Sequence, residues 1–550
     1  MTILADKHIS NNTAIIPVIV AILCLLPFVN KAFHIDDPLF IWAGKHIISN
    51  PADFYGFQVS WGITGKRMAD VTKNPPLACY YITIVALMFG FSEIVLHIAF
   101  LVPAVAAVLG TYYLARMFCS RPVPATLAMV LTPVFLVSCT NVMCDIMMLA
   151  MWVWAVFFWV RGIQTDKQLS LFFAAVLISM CALTKYFGMS LLGLLFFYSL
   201  MQKRKLGVWV LFLLIPMAVL AGYQWVTYLL YGRGLLSDAA AFATVQRWAG
   251  SASFMKGLIG LTFTGGCIIT VLFYSPLLWS GRVLVMGIVL MVMLVFVLTF
   301  QEKIGTICTR DVGDIRWGFL TQIALMSVTG ISLSVLAGED FYRCRDSKSL
   351  LLLLWVLGTF VFASFVNWVI NARSILPMAP AVGILLMRRI DHRSRGDQQR
   401  TGFWRVAWPL IPAALIALLV CRADYTLAGT AREAAGIIRE KFEGQNKKIW
   451  FGGHWGFQYY MEAAGGVAMD FKRSEPALGD IIIFPLNNTG IEPLSSIKIR
   501  PSETFRIGRR RWLATMNPWL GAGFYADVWG PLPFIIGSVE PEKYYCYIFN

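Results

Sequence analysis

Charge is scarce in this sequence. Asp, Glu, Lys and Arg make up 14% of the 550 residues, where a soluble protein carries roughly 25%. Hydrophobic residues reach 58% and the mean hydropathy is +0.68, an excess that needs lipid as its solvent. No CxxC pair occurs among the 11 cysteines, and the six histidines show neither HxxxH nor HExxH spacing, so zinc-hydrolase chemistry has no support. No long basic arm accompanies the net charge of +16, which removes the usual reason to expect nucleic acid. The first apolar run, Ala14 to Phe28, has no small-residue cleavage site after it and reads as a retained helix or signal anchor. Neither an internal repeat nor a low-complexity tract is present.

What the sequence does have is apolar runs of membrane length. A spanning helix takes about 20 apolar residues. Candidate spans fall near 14–33, 95–115, 123–141, 143–161, 169–185, 187–201, 207–230, 257–279, 283–300, 317–337, 350–369, 375–387 and 405–421. The fold class expected is therefore an all-α polytopic membrane protein of about 13 transmembrane helices, with a small α/β domain at its C-terminus. The expected membrane domain is 1–421, with an outer loop at 34–94, and the outer domain is 422–550. The apolar stretch 76–92 reads as a helix lying at the outer surface. With the N-terminus inside, Arg116, Arg121, Arg161, Lys167, Lys203 to Lys205, Arg343, Arg345, Lys348 and the run Arg388 to Arg405 then all fall in inner loops, a positive-inside pattern. The tail shows a helical stretch near 426–443 and strand-like runs at Lys448–Phe451 and Asp480–Phe484. Cys421 and Cys546 read as packing thiols, a disulfide between them being the alternative.

The first outer loop opens His34-Ile35-Asp36-Asp37-Pro38. Two adjacent carboxylates beside lipid are costly unless they face water or a site. In irregular backbone one can take a proton from a hydroxyl while the other orients it or holds a cation; the alternative is a helix cap. The loop continues through Tyr55 and Trp61 to Lys73-Asn74-Pro75-Pro76-Leu77 and Tyr80-Tyr81, aromatics that suit the membrane interface or the stacking of a sugar. Asp145 sits about one turn inside the outer end of a span, an ionisable group of the kind that marks a site, or else a helix N-terminal acid. Lys185 and Arg373 fall in breaks at the same face. Together these charges suit an anionic, hydroxyl-bearing substrate.

The order of an acidic pair after the first helix, Lys73-Asn74-Pro75-Pro76-Leu77 with Tyr80-Tyr81, and then Asp145 heading a span resembles the GT-C superfamily of glycosyltransferases. It is most similar to family 39, which includes protein O-mannosyltransferases and the lipid A aminoarabinose transferase. The similarity covers roughly residues 10–390. The resemblance implies a polyprenyl-phosphate sugar donor, an acceptor hydroxyl on a lipid, glycan or protein at the outer face, and a bacterial inner membrane location. It makes Asp36, Asp37 and Asp145 the catalytic candidates. Arg373, Lys185 and Lys73 become the donor-phosphate candidates, and His34, Tyr55, Trp61, Asn74, Tyr80 and Tyr81 the residues lining the substrate. Lys73 departs from the family pattern, standing one residue early with Asn74 in the family's lysine position. The resemblance fixes no cofactor and leaves a divalent metal on Asp37 or Asp145 open; besides donor and acceptor, the partners expected are membrane lipids, not nucleic acid. The rival readings are a secondary transporter with an intramembrane acid/base relay, which the lack of a repeat disfavours, and a non-catalytic scaffold.

Overall fold

In lipid a chain must satisfy its backbone N–H and C=O groups within itself, and a single apolar segment does so as a helix. The computed structural model describes residues 11–248, 253–396, 402–445, 447–492 and 499–550, and its frame is a bundle of long helices. Among the described residues, seven helices are long and apolar enough to cross a membrane, or nine if each of two bent pairs is one span. The sequence reading counts thirteen, four more than pass on length and composition. All thirteen runs are helical, but Ile15–Leu25, Gln168–Thr184, Ser190–Lys203 and Ala379–Gly396 fall short as spans. A helix of 14 residues, such as Ser190–Lys203, reaches only about 21 Å of a roughly 30 Å hydrocarbon core. The bent pairs are Pro122–Val130 with Pro133–Cys139, at 67°, and Phe254–Cys267 with Thr270–Leu278, at 84°. Pro133 supplies no N–H and disfavours helical backbone before it, which breaks the first pair.

Burial sorts the helices. Cys144–Thr165 lies at the centre, with Trp152 and Trp159 enclosed. Gly281–Leu298 buries only Leu298 and turns Met286, Val289, Met293 and Phe296 outward, a helix apolar all round that suits lipid contact. The stretch 76–92 forms Leu77–Phe89, 13 residues with Ile84, Leu87, Met88 and Phe89 exposed, too short to span. The outer loop also contains a helix that the sequence reading did not anticipate, Asp37–Ser49, started by Pro38 at its first turn. Residues 1–10 and 397–401 lie outside the described residues, and with them the N-terminus and part of the Arg388–Arg405 loop expected to be cytoplasmic.

The boundary expected at 421/422 falls inside one continuous helix, Leu410–Phe442. Its C-terminal half carries Ala434, Ala435, Ile438 and Phe442 against Phe451, Ile481, Ile483, Phe505 and Tyr544 of the tail's sheet. That sheet runs Ile499–Ile507, Glu542–Phe549, Ile481–Pro485, Ile449–Phe451, Val467–Ala468, antiparallel at the first two junctions and parallel at the last two. The strand Ile481–Pro485 is buried on both faces, Ile481 and Ile483 in one cluster and Ile482 and Phe484 in another, as the period of two requires. Residues between Leu513 and Val539 leave the sheet and join the core of the membrane helices, among them Phe524, Tyr525, Leu532 and Phe534. Cys421 lies buried against Thr140 and Cys546 is buried in the sheet; both are free thiols.

Candidate active site

The turn after the first helix separates its two carboxylates. Ile35 takes a left-handed φ of 47°, unfavourable for a β-branched side chain. Asp37 holds this turn closed: its Oδ2 accepts the His34 N–H at 2.8 Å and its Oδ1 accepts the Val142 N–H at 2.9 Å. Asp37 is fully buried, and burial pushes its carboxyl up to about 7, against Lys31 and the two amide donors. It therefore clamps the first loop to the turn that precedes helix Cys144–Thr165. Asp36 stands at the N-cap position of helix Asp37–Ser49 but makes no side-chain cap bond. Its Oδ2 accepts from Arg373 at 3.0 Å instead, and its side chain remains 29% exposed.

Arg373 comes from the break after helix Ser347–Val361, in the short helix Ala372–Ile375 capped by Asn371. Besides Asp36, its guanidinium lies 3.8 Å from Asp145 Oδ2 and 5.5 Å from the ring centroid of Tyr525. Asp145, in the first turn of its helix, accepts from Lys185 at 2.5 Å through Oδ1. Asp36, Arg373, Asp145 and Lys185 thus form a line of alternating charge. Among the described residues, Arg373 Nε and Asp145 Oδ2 are buried without a hydrogen-bond partner, a costly state for polar atoms that a ligand can relieve. Asp145 is only 2% exposed, so Asp36 is the more accessible carboxylate of this array.

A second network, which the sequence reading missed, lies behind the first. Lys31 donates to Asp424 and Asn141 at 2.6 Å each, and all three are buried. Asp424 also accepts from Tyr525 at 2.8 Å and Thr515 at 2.9 Å. Charged residues closing apolar runs were the available signal for Lys31 and Asp424; nothing in the sequence marks Tyr525. His34 meets this network edge-on to Tyr525, and burial pushes its imidazole down to about 4. Tail residues also hold the Arg373 break: Phe524 C=O accepts the Ala372 N–H at 2.8 Å, and Asp527 accepts the Ile370 N–H at 3.0 Å. Gly456 allows the helix Trp455–Ala463 to sit on the first loop, since a Cβ there would lie 2.1 Å from the Phe33 carbonyl oxygen.

The remaining residues singled out from the sequence fix the outer loop. Lys73 pairs with Asp238 at 2.6 Å, in a separate ion cluster with Asp70 and Arg233. Tyr55 is buried and donates to the Asn74 carbonyl at 3.0 Å. Tyr80 donates to Pro51 C=O at 2.6 Å and Tyr81 to Ala99 C=O at 2.7 Å. Trp61 stacks on His454 of the tail, ring centroids 4.7 Å apart. A divalent metal at either position offered for it would share its carboxylate with partners already in place. Both oxygens of Asp37 already face backbone donors, and Asp145 lies between two cations, Lys185 and Arg373.

Residues 73–228 match the family model described as dolichyl-phosphate-mannose-protein mannosyltransferase. That segment holds Asp145 and Lys185 but neither Asp36 nor Arg373. No curated protein matches the chain. Among solved structures, the chain resembles the Archaeoglobus fulgidus oligosaccharyltransferase, in complex with zinc and sulfate, at 12% identity and a TM-score of 0.46, covering 86% of this chain and 68% of that one. It resembles ArnT from Cupriavidus metallidurans bound to undecaprenyl phosphate at 12% identity and a TM-score of 0.43, covering 87% of this chain and 94% of that one. The likeness to the S. cerevisiae Pmt1-Pmt2 protein O-mannosyltransferase complex bound to its sugar donor is 14% identity and a TM-score of 0.32, over 43% of this chain and 35% of that one. The segment that matches the mannosyltransferase family model is thus set among helices long and apolar enough to cross a membrane.

Proposed function

We propose that the chain transfers a sugar from a polyprenyl-phosphate donor to an acceptor hydroxyl at the outer face of a bacterial inner membrane, with inversion at the anomeric carbon. The acceptor is a lipid, glycan or protein, the N-terminus is cytoplasmic and the tail is outside. The observation that carries this reading is the array Asp36–Arg373–Asp145–Lys185, with one reachable carboxylate and two cations. A cavity of about 200 Å³ supports it, lined by Trp152, Phe187, Leu194, Phe197, Leu354 and Trp355. Phe187 lies two residues beyond Lys185, and Trp152 two turns along the helix from Asp145, so an apolar chain attached to a phosphate at these cations has a place to lie.

Arg373 rests on Asp36. A lipid phosphate draws the guanidinium onto its own oxygens and frees Asp36 to act as base. The acceptor oxygen attacks the anomeric carbon and its proton passes to Asp36. The bond from that carbon to the phosphate oxygen breaks, and its electron pair leaves on the lipid phosphate. Arg373 and Lys185 neutralise the charge that develops there, where fixed cations in a water-poor site act most strongly. Asp145 holds both cations in place.

The test is Asp36→Asn, assayed by release of lipid phosphate from a panel of polyprenyl-phosphate sugars. Loss of the base lowers the rate by about 100-fold to 10,000-fold, while donor binding and membrane insertion persist. Because Asp36 makes no cap bond, a fall in rate does not reduce to a lost cap. Near-normal transfer by Asp36→Asn would overturn the mechanism.

A further inference from the structure

Helix Ala379–Gly396, which follows the short helix carrying Arg373, ends in residues that the transfer reaction does not use. At about 1.5 Å per residue this far end lies on the order of 25 Å from the array. There His392 meets helix Trp317–Cys344, which presents Asp340 and Cys344 one turn apart and so on one face. The ligand atoms of Asp340, Cys344 and His392 all lie within 4.8 Å of one another, and Cys344 Sγ is 3.4 Å from His392 Nε2. We propose that these three side chains form a mononuclear binding site for a transition metal of the zinc class.

Three observations support the assignment. The first is separation: ligand atoms around a tetrahedral zinc sit roughly 3.3–3.8 Å apart, given metal–ligand bonds of about 2.0–2.3 Å. The Cys344–His392 pair already has that spacing, and both side chains have room to close on Asp340, His392 being exposed and Cys344 half-buried. The second is the donor set. One thiol, one imidazole and one carboxylate suit zinc or cobalt(II), whereas magnesium and calcium prefer oxygen alone. Three protein ligands leave a fourth position for water. The third is the support behind the buried ligand. Arg388 Nε donates to both oxygens of Asp340 at 3.0 and 3.1 Å, and its other nitrogens donate to Ser349 Oγ at 2.7 Å and Phe118 C=O at 3.4 Å. An outer partner of this kind orients a ligating carboxylate.

The neighbouring cations are already engaged. Arg343 and Arg389 both pair with Glu339, Arg121 pairs with Asp391, and Arg393 donates to the Leu277 carbonyl. A bound metal would tie helix Trp317–Cys344 to the helix that leads from Arg373. This inference is independent of the glycosyl-transfer reading.

The test uses the full-length protein in detergent, freed of its affinity tag and stripped with chelator, then titrated with cobalt(II). One cobalt per chain and a thiolate-to-cobalt charge-transfer absorption are expected. Cys344→Ser abolishes that absorption. His392→Asn weakens cobalt binding by at least about 10-fold, since even loss of an outer partner costs about 10- to 100-fold. Both positions are solvent-accessible, and unchanged elution on size exclusion verifies that the variants fold. The other ten cysteines, present in each variant, serve as the internal control. No uptake by the parent protein at micromolar cobalt overturns the proposal, as does an absorption that survives either substitution unchanged.

Discussion

Asp36 and Asp37 are neighbours with different partners, and one dihedral angle separates them. The left-handed turn at Ile35 sends Asp37 inward to two amide donors and leaves Asp36 facing Arg373. The motif identified the pair and, by position, made Asp36 the acid/base candidate; the turn that points the two to different partners was not legible, because no residue type at position 35 announces it. The cations were legible as charges in breaks between spans, yet their pairing was not. Arg373 bridges two acids of the array, whereas Lys73 is occupied by Asp238. Arg373→Ala should therefore lower lipid-phosphate release by about 100- to 1,000-fold, the range for removing one group aimed at developing charge. Lys73→Ala should cost less than about 10-fold on the same argument, because its charge points elsewhere. Arg373→Lys should not restore the rate, since one ammonium cannot reach both acids as a planar fork does. Comparable small losses for Arg373→Ala and Lys73→Ala would place the phosphate at another site.

Among the elements, the long spans were the most readable part of the fold, because a run of apolar residues in lipid has few alternatives to a helix. The breaks were legible where proline or charge interrupts a run. The tail was legible only as strands and a helix; its insertion among the spans was not, because residues such as Phe524 and Tyr525 read as ordinary aromatics of an outer domain. That insertion holds the Arg373 break through Asp527, which accepts the Ile370 N–H. Burial raises the Asp527 carboxyl to about 6, from an ordinary value of 3.8. A carboxyl raised on folding favours the folded state at low pH, and this contribution disappears as pH climbs from the ordinary value through about 6. Asp527→Asn keeps an acceptor for Ile370 and removes the titration. Thermal unfolding in detergent should show Asp527→Asn gaining most over the parent above pH 6, with the gap shrinking towards pH 4. A gap that stays constant with pH would mean that Asp527 does not ionise differently in the folded chain.

Across the whole molecule, the segments expected outside meet one another. Trp61 and Gly62 contact His454, Glu93 pairs with Arg432, and Thr306 and Arg316 donate to carbonyls between Trp519 and Val528. At the other end of the bundle lie Arg121, Arg343, Arg388 and Arg393. Cys308, exposed on a short hairpin between two spans, is a natural reporter for the first group. A thiol reagent that cannot cross membranes should label Cys308, and Lys472→Cys in a Cys308→Ser background, in intact cells. Arg393→Cys in that background should label only after lysis; the reverse pattern would invert the topology. Arrangement across the chain also sets a timetable. Asp36 is synthesised about 490 residues before Tyr525, and the Arg373 break is held by the backbone of Phe524. At roughly 5–20 residues per second, some 25 to 100 seconds pass between the two. Throughout that interval the first helices can already sit in the bilayer, yet the nascent chain lacks the segment that steadies the Arg373 break. The array is completed only once this late segment has been made, so a nascent chain stalled before it carries an acidic pair and a helix bundle but no finished array.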